Sequence, residues 1–428
     1  MPTISAIRRS ISVAVFTVTL GAALLAADHW PQWRGPELNG SSKETGLPRT
    51  WSPTENIAWK LPTPSRTGST PIVWGDRVFL HVATAEFTGD LELWAVDRNK
   101  QAVIWKKPLA SGNRPGRKQN MSTPSPVTDG RTVWAMTGTG IVKAFDFAGT
   151  EKWARDIQKE YGRFGLGFGY ASSPLLLDGD LIVQVLHGLK TDDPSYVLRI
   201  DGATGKTEWK VDRPTNARLE SPDAYNTPTV VRRGGVSEIV ITGGDVATGH
   251  DPATGKEIWR VEGLNPQNAP NYRLVASPVV WQGILIAPTR VQPMLALDVA
   301  NRGSGSPKTL WSFDQGPDIP TPVTDGSLLY IVRDNGATFA LDLKTGAVVY
   351  GPERLPPGTY SGSPVLADGH IYVTNEEGLT SVYKAGPKFE LVAQNALDDY
   401  CLSSPAVSEG QIFIRTSGHL WVIGNRKK

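Results

Sequence analysis

Eight pairs of a hydroxyl residue followed by proline constrain this chain more than any other feature. They are Thr70-Pro71, Thr123-Pro124, Ser173-Pro174, Thr227-Pro228, Ser277-Pro278, Thr321-Pro322, Ser363-Pro364 and Ser404-Pro405. Each opens a short apolar or β-branched run that ends four to six residues past its proline at a glycine: Gly75, Gly130, Gly179, Gly234, Gly283, Gly326, Gly369 and Gly410. The prolines are 53, 50, 54, 50, 44, 42 and 41 residues apart. Self-similarity at that period means stacked copies of one supersecondary unit.

The unit from Ser173 shows what is repeated. Pro174 to Asp178 is a short apolar strand closed by the Asp178-Gly179 turn, and Asp180 to Val185 returns as its hairpin partner. A third strand ends at Asp201, Gly202 to Gly205 makes a turn, and Lys206 to Trp209 starts a fourth. Four antiparallel strands in about fifty residues are the content of one propeller blade. The ending recurs: Asp97 leads to Trp105, Asp146 to Trp153, Asp251 to Trp259, Asp298 to Trp311 and Asp342 to Tyr350. A flat side chain fixed in each outer strand can pack on the neighbouring blade and give its indole N–H to a carbonyl there. The last unit runs out after three strands, whereas Asn56 to Trp59 supplies a spare strand ahead of the first unit. Pairing the two removes both open edges. The expected fold is therefore all-β: an eight-bladed propeller of four-stranded antiparallel blades, closed by an N-terminal strand that completes the last blade.

The boundaries expected from this reading are a signal peptide over 1–27, an N-terminal extension over 28–54 and the propeller over 55–428. Arg8 and Arg9 precede the apolar run from Ile11, and Ala26-Ala27 offers a cleavage point. Cleavage removes two basic residues and no acidic ones, leaving 42 of each. A balanced charge gives no broad field for nucleic acid, and the cluster Arg114, Arg117 and Lys118 reads as a solvated loop. Export to the periplasm or beyond follows, with no stable membrane anchor after cleavage and a monomer as the expected state. Cys401 is the only cysteine, so it reads as buried and inert.

The segment Ala340-Leu-Asp342-Leu-Lys-Thr345-Gly346, the segment Asp251-Pro-Ala-Thr254-Gly255 ending at Trp259, and the opening Trp30-Pro-Gln-Trp33-Arg34-Gly35-Pro36 resemble the repeats of the pyrroloquinoline-quinone (PQQ) propeller superfamily. The resemblance spans about residues 30–425 and implies one of two roles. Quinoprotein dehydrogenases hold PQQ and calcium in the central funnel and oxidise alcohols or sugars, typically under an adjacent-cysteine disulfide that a chain with one cysteine cannot form. BamB-like propellers carry no cofactor and offer edges and loops to partner proteins. The expectation is the second: a non-catalytic exported scaffold, without a cofactor, for a protein or glycan partner. A PQQ- and calcium-dependent dehydrogenase is the alternative.

In a propeller, loops entering the inner strands ring the channel, so a ligand is expected to meet Arg66, Asn120, Tyr170, Tyr225, Arg273, Asp318, Tyr360 and Tyr400. The long loops 106–122, 154–172, 210–226 and 260–276 lie on consecutive blades and crowd one side of one face. Within them the Gly/aromatic run from Tyr161 to Tyr170 offers Arg163, Phe164 and Phe168 as a partner-binding surface. The six histidines show no ligand spacing, so no metal site is expected, and no catalytic set stands out. Trp30 to Pro36 reads as a cap over one end of the ring.

Overall fold

A computed structural model describes residues 29–290 and 293–425; the expected signal peptide lies outside these residues. Among them are eight four-stranded antiparallel sheets, arranged in sequence order around a channel. The third blade is typical: Leu175–Leu177 innermost, then Asp180–Val185, Tyr196–Ile200 and Thr207–Asp212 outermost. Inner strands are buried on both faces and packed between neighbouring blades, which explains their near-continuous Val/Ile/Leu runs. Outer strands alternate, with exposed positions facing solvent. The helix Ile157–Tyr161 is one turn, started by Asp156 accepting from the Lys159 N–H.

The ring closes as expected. Ile57–Pro62 pairs antiparallel with His419–Ile423, which continues to Gln411–Arg415 and Ala406–Ser408. Lys60 faces Trp421 in this register and lays its ammonium over the indole, 4.7 Å from the ring centre.

Two repeated devices join the blades. In the first, a tryptophan of one outer strand covers the turn of the next blade. The indole N–H groups of Trp105, Trp153, Trp209 and Trp311 donate to the carbonyls of Phe147, Gly202, Pro252 and Leu343 at 2.9–3.0 Å. Each ring lies where a Cβ on the turn glycine would fall: 2.5 Å from Trp209 at Gly255 and 2.6 Å from Trp311 at Gly346. Those glycines also take φ of +73°, a conformation other residues adopt at a cost. The turn itself is held by the preceding aspartate; Asp342 Oδ1 accepts from the Lys344 and Thr345 N–H groups and the Thr345 hydroxyl.

The second device uses the hydroxyl–proline anchors. The backbone N–H of each anchor donates to the anchor hydroxyl of the following blade: Ser173 to Thr227, Thr227 to Ser277, Ser277 to Thr321, Thr321 to Ser363 and Ser363 to Ser404, all at 2.9–3.1 Å. Here the structure corrects the second repeat. The anchor is Ser125-Pro126, not Thr123-Pro124. Ser125 Oγ accepts from Thr70 N at 3.0 Å and Ser125 N donates to Ser173 Oγ at 2.9 Å, while Thr123 turns its hydroxyl to the local Asn120 carbonyl. Residues two apart on an extended chain share a face, so the two adjacent pairs look alike in sequence and only the ring selects between them.

The collar is open at one point. Thr70 Oγ1 is buried without a hydrogen-bond partner, marking the seam between the eighth and first blades. Other bonds hold that seam. The buried Arg98 donates to Gln411 Oε1 and to the Ser408 carbonyl at 2.8 and 2.6 Å, and Arg415 donates to the Ser65 carbonyl at 2.6 Å. Cys401 is buried in this region, and burial pushes its thiol up to about 11, as expected of an inert cysteine.

Candidate functional site

The inner strands all run in one direction along the channel, so its two ends differ. One end is closed by the segment that precedes the first blade. Trp30 exchanges both backbone hydrogen bonds with Val73. The Pro31 carbonyl then takes Thr128 N–H at 2.9 Å, and Gln32 Oε1 takes Leu176 N–H at 3.0 Å. Arg34 is buried and donates to the carbonyls of Pro322, Pro364 and Asn39 at 2.8, 2.8 and 3.0 Å. Glu44 caps the last blade by accepting from the N–H groups of Glu409 and Gly410. The segment thus pairs backbone groups at the inner edges of blades one, two, three, six and seven and at the first turn of blade eight, which explains why a polar arginine sits at its centre. Trp30 to Pro36 caps one end, as the sequence suggested.

The other end is a cup of about 300 Å³. Trp33, carried by the plug, also lines it. The anchor hydroxyls Ser125, Ser173, Thr227, Ser277, Ser363 and Ser404 form its collar. Its wall comes from the long loops on consecutive blades: Gly116 to Gln119, Phe168 and Ala171, Tyr225, and Arg273 with Val275. Asp318, Ile319 and Asp334 continue it from the sixth blade, Thr359 and Ser361 from the seventh and Leu402 from the eighth.

A small hairpin, Pro115–Gly116 with Gln119–Asn120, leans over the cup. Gln119 Nε2 donates to the Phe168 carbonyl at 3.1 Å, and Lys118 crosses to the seventh blade, 2.6 Å from Glu376 Oε1. Gly116 passes so close to Phe168 that a Cβ there would lie 1.9 Å from its carbonyl oxygen. Glu376 also accepts from the hydroxyls of Ser361 and Tyr400, at 2.5 and 3.0 Å. Burial, with Glu376 beside it, pushes the Tyr400 phenol above its ordinary range.

The Gly/aromatic run is moored from below. Asp223 accepts from the N–H groups of Gly167, Gly188 and Leu189 at 2.7, 3.0 and 3.1 Å, and Tyr225 accepts from Phe168 N at 3.1 Å. Burial pushes the Asp223 carboxyl up, while those N–H groups pull against it. Phe168 is then fixed beneath Arg117 and Arg273, whose guanidinium carbons lie 5.8 and 5.5 Å from its ring centre. Arg273 faces Glu220 Oε1 at 3.5 Å and Asp318 Oδ2 at 3.7 Å, and Arg290 faces Asp318 Oδ2 at 3.6 Å. These are ion pairs too long for close hydrogen bonds. Burial pushes the Asp318 carboxyl up, and Arg273 and Arg290 offset part of that.

Of the residues expected from sequence, Tyr225, Arg273, Asp318 and Phe168 line the cup together. Arg66 and Tyr400 stand near it, the Arg66 guanidinium carbon 5.7 Å from the Tyr400 ring centre. Asn120, Tyr170 and Tyr360 are packed away: Asn120 donates to the Arg66 carbonyl, Tyr170 to Gln184 and Tyr360 to Pro356. Arg163 is exposed, and Phe164 packs against Tyr170 with tilted rings, 4.8 Å between ring centres. The residues not foreseen are Trp33, Arg117 and Lys118. Arg114 is exposed as expected of a solvated loop, but its two neighbours form part of the wall. The Pro115-Gly116 pair was the available signal for a tight hairpin there, where Arg117 takes a φ of +62°.

Proteins similar to this chain include members of two groups. A family profile described as outer membrane protein assembly factor BamB matches residues 37–211 and 167–351. The outer membrane protein assembly factor BamB of Alkalilimnicola ehrlichii is 27% identical over 197 residues, 43% of this chain and 49% of that protein, so the match spans about half the length of that relative. The dehydrogenase subunit of the quinone alcohol dehydrogenase of Gluconacetobacter polyoxogenes is 28% identical over 122 residues, 23% of this chain and 16% of that one. Among solved structures, BamB from Moraxella catarrhalis superposes with a TM-score of 0.62 at 14% identity, covering 85% of this chain and 98% of that one. A europium-containing methanol dehydrogenase superposes at 0.71 with 13% identity, covering 91% and 90%. At these identities the superpositions speak for the fold alone.

Proposed function

The chain belongs to the family described as outer membrane protein assembly factor BamB, and from that premise we propose that it is an exported, non-catalytic scaffold that receives a protein partner on the face bearing the cup. The observation carrying this reading is the asymmetry of the channel. One end is covered by Trp30 to Glu44, hydrogen-bonded to six of the blades, and the other gathers the long loops and an aromatic, ion-paired rim. A rigid ring with adaptable loops on one face suits binding. Phe87, Leu189 and Leu219, on loops of that face, are exposed apolar side chains, the kind a partner covers.

A quinone-dependent dehydrogenase is the alternative, motivated by the 28% identity over 122 residues to the dehydrogenase subunit of a quinone alcohol dehydrogenase. The donor set of the cup speaks against it. Calcium asks for six to eight oxygen ligands at about 2.3–2.6 Å. Among the described residues no group of three or more acidic, histidine or cysteine side chains is placed to hold a metal. Asp318 and Glu376 are each committed to cations.

A photo-crosslinking amino acid at position 168 or 118, with position 208 on the third blade's outer strand as control, tests the scaffold reading in the cell envelope. The expected result is the same captured protein at 168 and 118 but not at 208, with binding reproduced by the two purified components. Saturable binding of PQQ with calcium, accompanied by dye reduction on adding an alcohol or sugar, overturns it.

A further inference from the structure

The cup has a chemistry of its own, distinct from the exposed rim. Each of its six anchor hydroxyls accepts a backbone N–H from the preceding blade, and among the described residues none donates its own proton to a protein acceptor. A hydroxyl has one proton and two lone pairs, so this leaves a ring of O–H donors around the channel axis. Asp318 Oδ1 is a buried acceptor without a hydrogen-bond partner. The Arg273 guanidinium beside it has only ion pairs at 3.5 and 3.7 Å and lies against Phe168. Buried groups of this kind are costly to leave unmet. Trp33 and Phe168 add flat apolar faces.

Charge decides the class of ligand. Arg117, Lys118 and Arg273 line the cup with Asp318 and Asp334, and Arg290, Glu220 and Glu376 are the ion-pair partners of these groups. That makes four cations against four carboxylates, a balanced site that gains nothing from a net charge on its ligand. What it offers is many hydrogen-bond donors, an adjacent carboxylate and guanidinium able to straddle neighbouring hydroxyls, and aromatic faces for C–H surfaces. The volume lies at the small end of ligand pockets.

We propose that the cup binds one unit of a neutral saccharide, with Asp318 accepting from and Arg273 donating to ligand hydroxyls, Phe168 or Trp33 against the ring face, and the Pro115–Asn120 hairpin closing over it. This rests on the reading of the face as a binding surface and names a second ligand for it, a glycan unit in the centre beside the protein on the rim.

Calorimetry and saturation-transfer NMR on the full-length mature protein test this. The probes are glucose, galactose, mannose, N-acetylglucosamine and their di- and trisaccharides, with galacturonate and PQQ as anionic comparators. The expected result is saturable binding of a neutral sugar, weakened about tenfold or more by Asp318→Asn and by Arg273→Gln and unchanged by Glu208→Gln on an outer strand. Asp318→Asn keeps the shape of a side chain that makes no close hydrogen bond, and matching thermal melts establish folding. Absence of binding by every neutral probe, preference for the anionic comparators, or binding indifferent to both cup variants overturns the proposal. Envelope crosslinking at position 168 reads the scaffold role separately, so loss of the sugar result with retention of the crosslink refutes only the saccharide site.

Discussion

Lys118 of the second repeat and Glu376 of the seventh meet across the open end of the channel, Nζ to Oε1 at 2.6 Å. Glu376 is also gripped by Ser361 and Tyr400, so the anchoring side is fixed and the hairpin is the movable partner. Lys118 is 39% exposed, so water screens the pair and its contribution to global stability is about 1 kcal/mol at most. Lys118→Ala is expected to leave the melting temperature nearly unchanged while speeding amide exchange over 112–121. Hydrogen-exchange mass spectrometry checks it, and unaltered exchange there removes the latch role.

The anchor collar predicts an ordered set of costs. Ser173→Ala leaves the Ser125 N–H buried and unpaired, costing about 1–3 kcal/mol. Thr70→Val removes a hydroxyl with no partner and is expected to cost under about 1 kcal/mol. Ser125→Ala is expected to cost more than Thr123→Ala, because only Ser125 joins two blades. Urea denaturation of the four variants gives the order, and a reversed Ser125/Thr123 result returns the anchor to Thr123.

Arg34 holds three carbonyls from inside the protein. Arg34→Ala strips them of donors in a buried setting and is expected to destabilise by about 3 kcal/mol or more. Because the damage is confined to the plug, proteolysis near residues 29–44 is expected to precede global unfolding. Intact resistance in that segment argues that the plug is held by its backbone bonds alone.

His81 supplies a pH signature. It is buried, its Nδ1 is 3.0 Å from the Pro124 carbonyl, and burial pushes it down to about 4. The unfolded chain binds a proton near pH 6.5 and the folded one does not until about 4, so stability falls as pH drops through that window, by about 3 kcal/mol in total. His187 and His250 shift in the same sense. Burial raises Asp223, Asp245 and Asp318, which partly offsets the loss. The turn aspartates Asp146, Asp201, Asp298 and Asp342 are lowered, so their contribution disappears only at more acid pH. His81→Gln is expected to flatten the stability profile between pH 6.5 and 4; a slope equal to that of the parent protein refutes the assignment.

The repeat was legible because each blade solves the same packing problem with the same residues. The Asp-to-tryptophan ending announces both a turn and a cover for the next blade, and Trp209 over Gly255 is that sentence made physical. The spare strand at Ile57 was legible as an unmet edge. The plug was read only as a cap, since nothing in Trp30 to Glu44 tells which carbonyls Arg34 will reach 288 and 330 residues away. The cup was half legible. Counting back from each proline found Tyr225, Arg273 and Asp318, but loops of unequal length present different faces, which is why Tyr170 and Tyr360 turned into the core. Arg117 and Lys118 were missed because a hairpin folded across the channel leaves no periodic trace.

The pairing of Ile57–Pro62 with His419–Ile423 fixes the order of events in biosynthesis. The earliest-made strand of the ring must wait, unmatched, for the last one to be translated. Seven sectors can assemble as they emerge, yet the circle stays a horseshoe with two sticky tips until His419–Ile423 has been made. Any chaperone that escorts this chain is needed longest at these two strands, and a ribosome that stalls before His419 releases a product whose first and last blades are both left open.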